Sequence, residues 1–240
     1  MRTIKILIYK ELAGALTSWS TYIGLTLFFC ICGFICWFSP SNIFYMGQAT
    51  MLPVFNILNW ITFFMIHALT MKSISDEKRN GTLELLLTKP IKTSQLISGK
   101  FFSRLILICI AFVLTLPYYF TIAALGHTDL GAVLLGYYGL ISISACYISI
   151  GIFASALSRT PVTAFFISIG IGLCFQLLFG VLAQQIGSGM WAGVFTYLSM
   201  NEHFDSLSRG VLDSRDIIYF VSIITIFLSL SKFFICKTRF

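Results

Sequence analysis

Charge is what this sequence has least of. From Leu12 to Met71, sixty residues, there is no Asp, Glu, Lys or Arg. Only 10% of the 240 residues are charged, where a soluble domain carries about 25%. No soluble fold needs so long an uncharged run, whereas two membrane spans of about 20 residues with a short connection do. A hydrophobic share of 58% and a mean hydropathy of +0.90 agree. The expected fold is an all-α polytopic membrane protein.

Other absences remove function classes. Gly99-Lys100 is followed by Phe101, and no glycine stands five residues before Gly99, so the phosphate-cradling Walker A loop is missing. The three histidines, His67, His127 and His203, are scattered and form no Ser/His/Asp set. His67, near the inner end of the second span, suits a packing hydrogen bond better than a proton relay. The cysteines (Cys30, Cys32, Cys36, Cys109, Cys146, Cys174 and Cys236) lie in or beside apolar runs without zinc-site spacing. Within the spans as drawn below no buried carboxylate or lysine and no paired polar constellation is expected. That argues against an ion-coupled carrier, a channel with a charged filter and an intramembrane enzyme.

Six spans are expected, at about 19–38, 53–71, 101–125, 131–157, 162–182 and 217–235. Before them, Ile4, Leu7, Ile8, Leu12, Ala15 and Leu16 recur at helical spacing with Arg2, Lys5 and Lys10 off the stripe. This reads as an amphipathic interfacial helix, not a cleavable signal. Trp19 and Trp37 stand where an interfacial belt is expected. Pro53 opens the second span, and Pro117 is placed to kink the third. The fourth is rich in small residues from Gly136 to Ser155, marking surfaces where another helix approaches closely. Residues 183–215 are too broken to span and read as a partly inserted outer segment. Within it Asp205, Arg209 and Asp213 are four apart, so on one helix their opposite charges would pair along a face.

The charge that is present is concentrated. Seven of the sixteen basic residues fall between Lys72 and Arg104. With both termini inside, fourteen of the sixteen lie on the inner side; Arg209 and Arg215 are outside with Asp129, Glu202, Asp205, Asp213 and Asp216. The positive-inside rule therefore puts both termini in the cytoplasm. The +7 net charge is accordingly a topology signal and calls for no nucleic-acid partner. Within the island, Asp76 to Gly81 reads as a polar turn and Thr82 to Leu87 as a two-turn apolar helix stopped by Thr88-Lys89-Pro90. Exposed leucines on a short helix suit a groove on a soluble partner.

The run from Glu77 to Pro90, EKRNGTLELLLTKP, followed by Gly99-Lys100, resembles the signature of ABC-2 type transporter permeases. Gly151 to Phe165 and His203 to Phe220 are similar to two further blocks of that family, in the right order. The subgroup most resembled is the gliding-motility-associated permease, with the permease of nitrous-oxide-reductase maturation second. The resemblance implies a single 240-residue transmembrane domain in the bacterial inner membrane. It also implies two separate ABC ATPase subunits and a second permease copy or paralogue. ATP and Mg would bind on the partner, with no cofactor, metal or catalytic residue on this chain. It implies ATPase coupling through Glu77, Lys78, Gly81, Thr82, Leu83, Glu84, Leu85, Leu86 and Pro90. An outer gate or surface helix would carry Glu202, Asp205, Arg209, Gly210, Asp213 and Asp216. The function implied is an ATP-driven permease, with export as the direction. The alternative is a membrane-embedded anchoring subunit of a gliding or secretion machinery that transports nothing.

Overall fold

The computed structural model describes residues 2–38, 50–82, 92–187 and 189–237. Among them there is no strand. Six helical stretches are long and apolar enough to cross a membrane: Trp19–Phe38, Leu52–Arg79, Thr93–Leu125, Leu130–Leu157, Pro161–Ile186 and Ser214–Cys236. The protein is an all-α, multi-pass membrane protein.

In chain order the helices are α1 (Arg2–Leu16), α2 (Trp19–Phe38), α3 (Leu52–Thr70) and α4 (Lys72–Arg79). They continue with α5 (Thr93–Val113), α6 (Leu116–Leu125), α7 (Leu130–Leu157) and α8 (Pro161–Leu173). After a π-helical turn at Cys174–Leu178 come α9 (Phe179–Ile186), α10 (Met190–Leu198), α11 (Met200–Ser208) and α12 (Ser214–Lys237). Their ends follow local chemistry. Pro53 and Pro161 sit in first turns, where the missing N–H costs nothing. The Asp129 carboxylate caps α7 by accepting from Gly131 N at 2.8 Å. Pro117 stands in the first turn of α6, so the third span breaks between Val113 and Leu116. At that break the Thr115 hydroxyl bonds back to the Phe112 carbonyl.

α7 is the axis of the bundle: 78% of its most apolar window is buried, against 50% or less for every other span. Its small residues explain why. A Cβ on Gly136 would stand 2.1 Å from the Phe55 ring, and one on Gly151 would stand 2.0 Å from Thr70 Oγ1. α3 thus lies on α7 at backbone distance, as small residues allow in lipid. α8, α11 and α12 cover its other sides.

The two ends of the bundle differ. One, here the charged end, gathers α1, α4, the start of α5 and the end of α7. Leu7 packs on Gly99, and Cys236 Sγ approaches Thr93 Oγ1 at 3.8 Å. The inner seam of α1 is buried Leu7 and Ala15 with partly buried Glu11 between them, one turn apart on a single face. Ile6 and Tyr9 are exposed. At the distal end α10 folds back along α9, with Phe179 and Phe195 stacked at 6.1 Å. α11 lies on the first half of α7 through Phe204 and Leu207 against Gly139.

Candidate functional site

At the charged end the chain leaves α3, steps at Met71 and continues as α4. Ser155 of α7 holds that step. Its hydroxyl accepts from Ile74 N at 2.9 Å and Ser75 N at 3.0 Å, and donates to the Met71 carbonyl at 3.0 Å. A fresh helix start exposes N–H groups without partners, and here a side chain 81 residues away supplies the acceptor. The Lys78 ammonium reaches the Ala156 carbonyl at the last turn of the same helix, where the helix dipole favours a cation. α4 is therefore fastened along its length to the end of α7.

Its other face carries the ion cluster. The Lys100 ammonium, 2% exposed, lies 2.7 Å from Glu77 Oε1 and 3.0 Å from Glu11 Oε1. One lysine on α5 thus ties α1 to α4. Arg104, one turn further along α5, lines the same cavity as Glu11 and Glu77, and its buried Nε has no hydrogen-bond partner among the described residues. The sequence reading missed this. The span expected at 101–125 holds Arg104 but starts after Lys100, whereas the helix runs unbroken from Thr93 and takes in Lys100 as well. Glu11 was legible only as the sole acid before Asp76.

The expected coupling residues divide. Glu77 and Lys78 are on α4 in the contacts just given. Gly81 turns the chain at φ +68°, a left-handed conformation that favours glycine. The Thr82 hydroxyl bonds back to the Glu77 carbonyl at 3.3 Å. Leu83, Glu84, Leu85, Leu86 and Pro90 lie outside the described residues.

At the distal end one expectation is overturned. Asp205, Arg209 and Asp213 do not share a helix. α11 stops at Ser208, and Gly210 reverses the chain at φ +86° with its Cα-facing side against Ala132. Asp213 instead caps α12, its carboxylate accepting from Arg215 N at 2.9 Å. Glu202 lies in the first turn of α11. Burial and the neighbouring Glu202 raise the Asp205 carboxyl above its ordinary value, while Arg209 opposes the shift. Asp216 is paired, 2.6 Å from His203 Nδ1; His203 Nε2 faces the Tyr197 carbonyl at 2.9 Å, and its ring stacks on Tyr219. This cluster pins α11 to α12 and to the end of α10.

A second correction concerns the interior. The Tyr147 hydroxyl, fully buried on α7, stands 2.6 Å from Gln176 Oε1 and 3.1 Å from Asn59 Oδ1. Gln176 Nε2 donates to Asn201 Oδ1 at 3.2 Å. The π-helical turn, a device frequent at functional positions, aims Gln176 inward. A paired polar constellation therefore does exist within the spans, joining α3, α7, α8–α9 and α11. His67 makes neither of its expected contacts: both ring nitrogens are buried without a polar partner among the described residues, and the ring packs edge-on against Phe63.

The model of the ABC-2 family transporter protein family matches residues 6–232. The chain belongs to the ABC-2 transporter family. It is a membrane-embedded permease subunit of an ABC transporter, the kind of chain that works with an ABC ATPase subunit. No individual curated protein matches it. Family membership argues against a stand-alone carrier. Among the described residues no group of His, Cys, Asp and Glu is arranged to hold a metal.

Proposed function

We propose that the permease couples ATP hydrolysis on a partner ATPase to export, with its charged end in the cytoplasm. The observation that carries this is the double fastening of α4. The helix leads directly into the segment from Gly81 to Pro90, and it is held to α7 by Ser155 and to α1 and α5 by Lys100. A force on that segment therefore meets four helices at once instead of a free loop. Glu77, Lys78, Gly81 and Thr82 set the direction in which the segment leaves. Leu83, Glu84, Leu85, Leu86 and Pro90 form the docking helix, its leucines in a groove of the ATPase and its charges at the rim.

Two permeases, identical or paralogous, and two ATPases, which carry the ATP and Mg, complete the transporter in the bacterial inner membrane. Both termini are cytoplasmic, as the basic excess at the charged end supports. Residues Glu202 to Asp216 with α10 form the outer gate. The Gln176–Tyr147–Asn59 contacts link that gate to α3 and α7. The anchoring alternative and the gliding-motility grouping have no observation in the structure that favours them.

A photo-crosslinking residue tests which end meets the ATPase. Placed at Thr82 it is expected to trap the ATPase, and placed at Leu212 to trap none. Crosslinking from Leu212 and not Thr82 would reverse the orientation.

A further inference from the structure

Two cavities meet on one side of the charged end. The first, about 340 Å³, is lined by Lys10, Lys72 and Arg104 together with Glu11 and Glu77. The second, about 300 Å³, is an apolar groove running between α2 and α3 to Phe165 of α8, past Leu27, Ile31, Ile61 and Phe64. They share Ser20, Ala68 and Leu69 on their walls, so they adjoin.

We propose that this joined cavity binds one phospholipid with an anionic headgroup, its phosphate among the cations and one acyl chain along the groove. Charge favours it. Glu11 and Glu77 each give one oxygen to Lys100, and Glu77 Oε2 stays without a partner among the described residues. Lys10, Lys72, Lys100 and Arg104 outnumber the two carboxylates, leaving the polar chamber with a positive excess. Among the described residues the buried Arg104 Nε is a donor lacking an acceptor, which a phosphate oxygen supplies. Length favours it as well. From Ser20 to Ile31 the groove follows α2 for about 16 Å, near half of the ~30 Å hydrocarbon core. That is the depth one leaflet's acyl chain occupies. Trp19, 83% exposed at the start of α2, marks the headgroup level where the two chambers meet. The inference stands independently of the ATPase contact.

The test is thermal unfolding of the delipidated full-length permease in detergent, with phosphatidylglycerol, phosphatidylcholine or inorganic phosphate added. Phosphatidylglycerol at about a hundredfold its Kd is expected to raise Tm by roughly 5–10 °C. Phosphatidylcholine is expected to do less and inorganic phosphate nothing. Arg104→Gln and the exposed Lys72→Gln should each reduce the shift, and Ala68→Trp, which fills the junction, should abolish it. Leu134→Trp, on a lipid-exposed face elsewhere, should keep it in full. The proposal is overturned by an equal shift with phosphatidylcholine or with inorganic phosphate. It is equally overturned if phosphatidylglycerol gives no shift, or if its shift survives both Lys72→Gln and Ala68→Trp.

Discussion

At the scale of single residues, two acids differ in the partners around them. Glu77 is held by an ammonium that is itself buried, so removing the lysine strands two acids in a low-dielectric pocket. Lys100→Met is expected to cost about 3 kcal/mol, read as a lower Tm in detergent. Adding Glu77→Gln should recover part of the loss, because fewer charges are left unpaired; a single mutant as stable as the wild type would contradict the clamp. Asp205 has no ion pair of that kind among the described residues. Burial and Glu202 raise its pKa in the folded chain, so the folded state holds the proton more tightly than the unfolded one. Its ionisation therefore costs stability as pH rises past the ordinary carboxylate range. Asp205→Asn should melt higher than the wild type at pH 7, with the gap closing towards pH 4; a gap that widens on acidification would refute the assignment. The sequence showed these residues but not their partners. Glu11, Glu77 and Lys100 are separated by up to 89 positions, and no spacing rule joins residues that meet only through tertiary packing.

At the scale of elements, α4 depends on α7. Ser155→Ala removes the acceptor for two helix-start donors, Ile74 N and Ser75 N, and should cost about 1–2 kcal/mol. The loss should appear as faster amide hydrogen exchange in α4 with α12 unchanged; equal change in both would point to general loosening instead. Gly151→Ala forces a Cβ to 2.0 Å from Thr70 Oγ1 and 2.7 Å from Thr70 Cβ. Trimming to Thr70→Ala leaves the second clash, so the double variant should remain destabilised. Full recovery by Thr70→Ala would show that the hydroxyl alone sets the spacing. The small-residue stripe of α7 was legible, because such residues have one main use in lipid. The break between α11 and α12 was not, since Asp205, Arg209 and Asp213 satisfy the helical repeat while Gly210 ends the helix. Nor was the inward aim of Gln176, which depends on a π-helical turn that the apolar pattern of the fifth span conceals.

At the scale of the whole molecule, the central helix α7 carries a polar tie at each end, and α4 at the charged end leads on to Gly81 and Thr82. The six spans were readable because length and hydropathy decide them almost alone. The helix of the third starts earlier than expected, at Thr93, as a buried lysine looks like a loop residue until its acids are in view. The central claim is that the segment following α4 is where an ATPase takes hold. Its most direct test is mild-detergent purification of the tagged permease from its native host, comparing wild type with Leu85→Asp. The account predicts that an ABC ATPase accompanies the wild type and is lost from Leu85→Asp, while both permeases elute as the same monodisperse, equally stable species. An ATPase retained in normal yield by Leu85→Asp would contradict it.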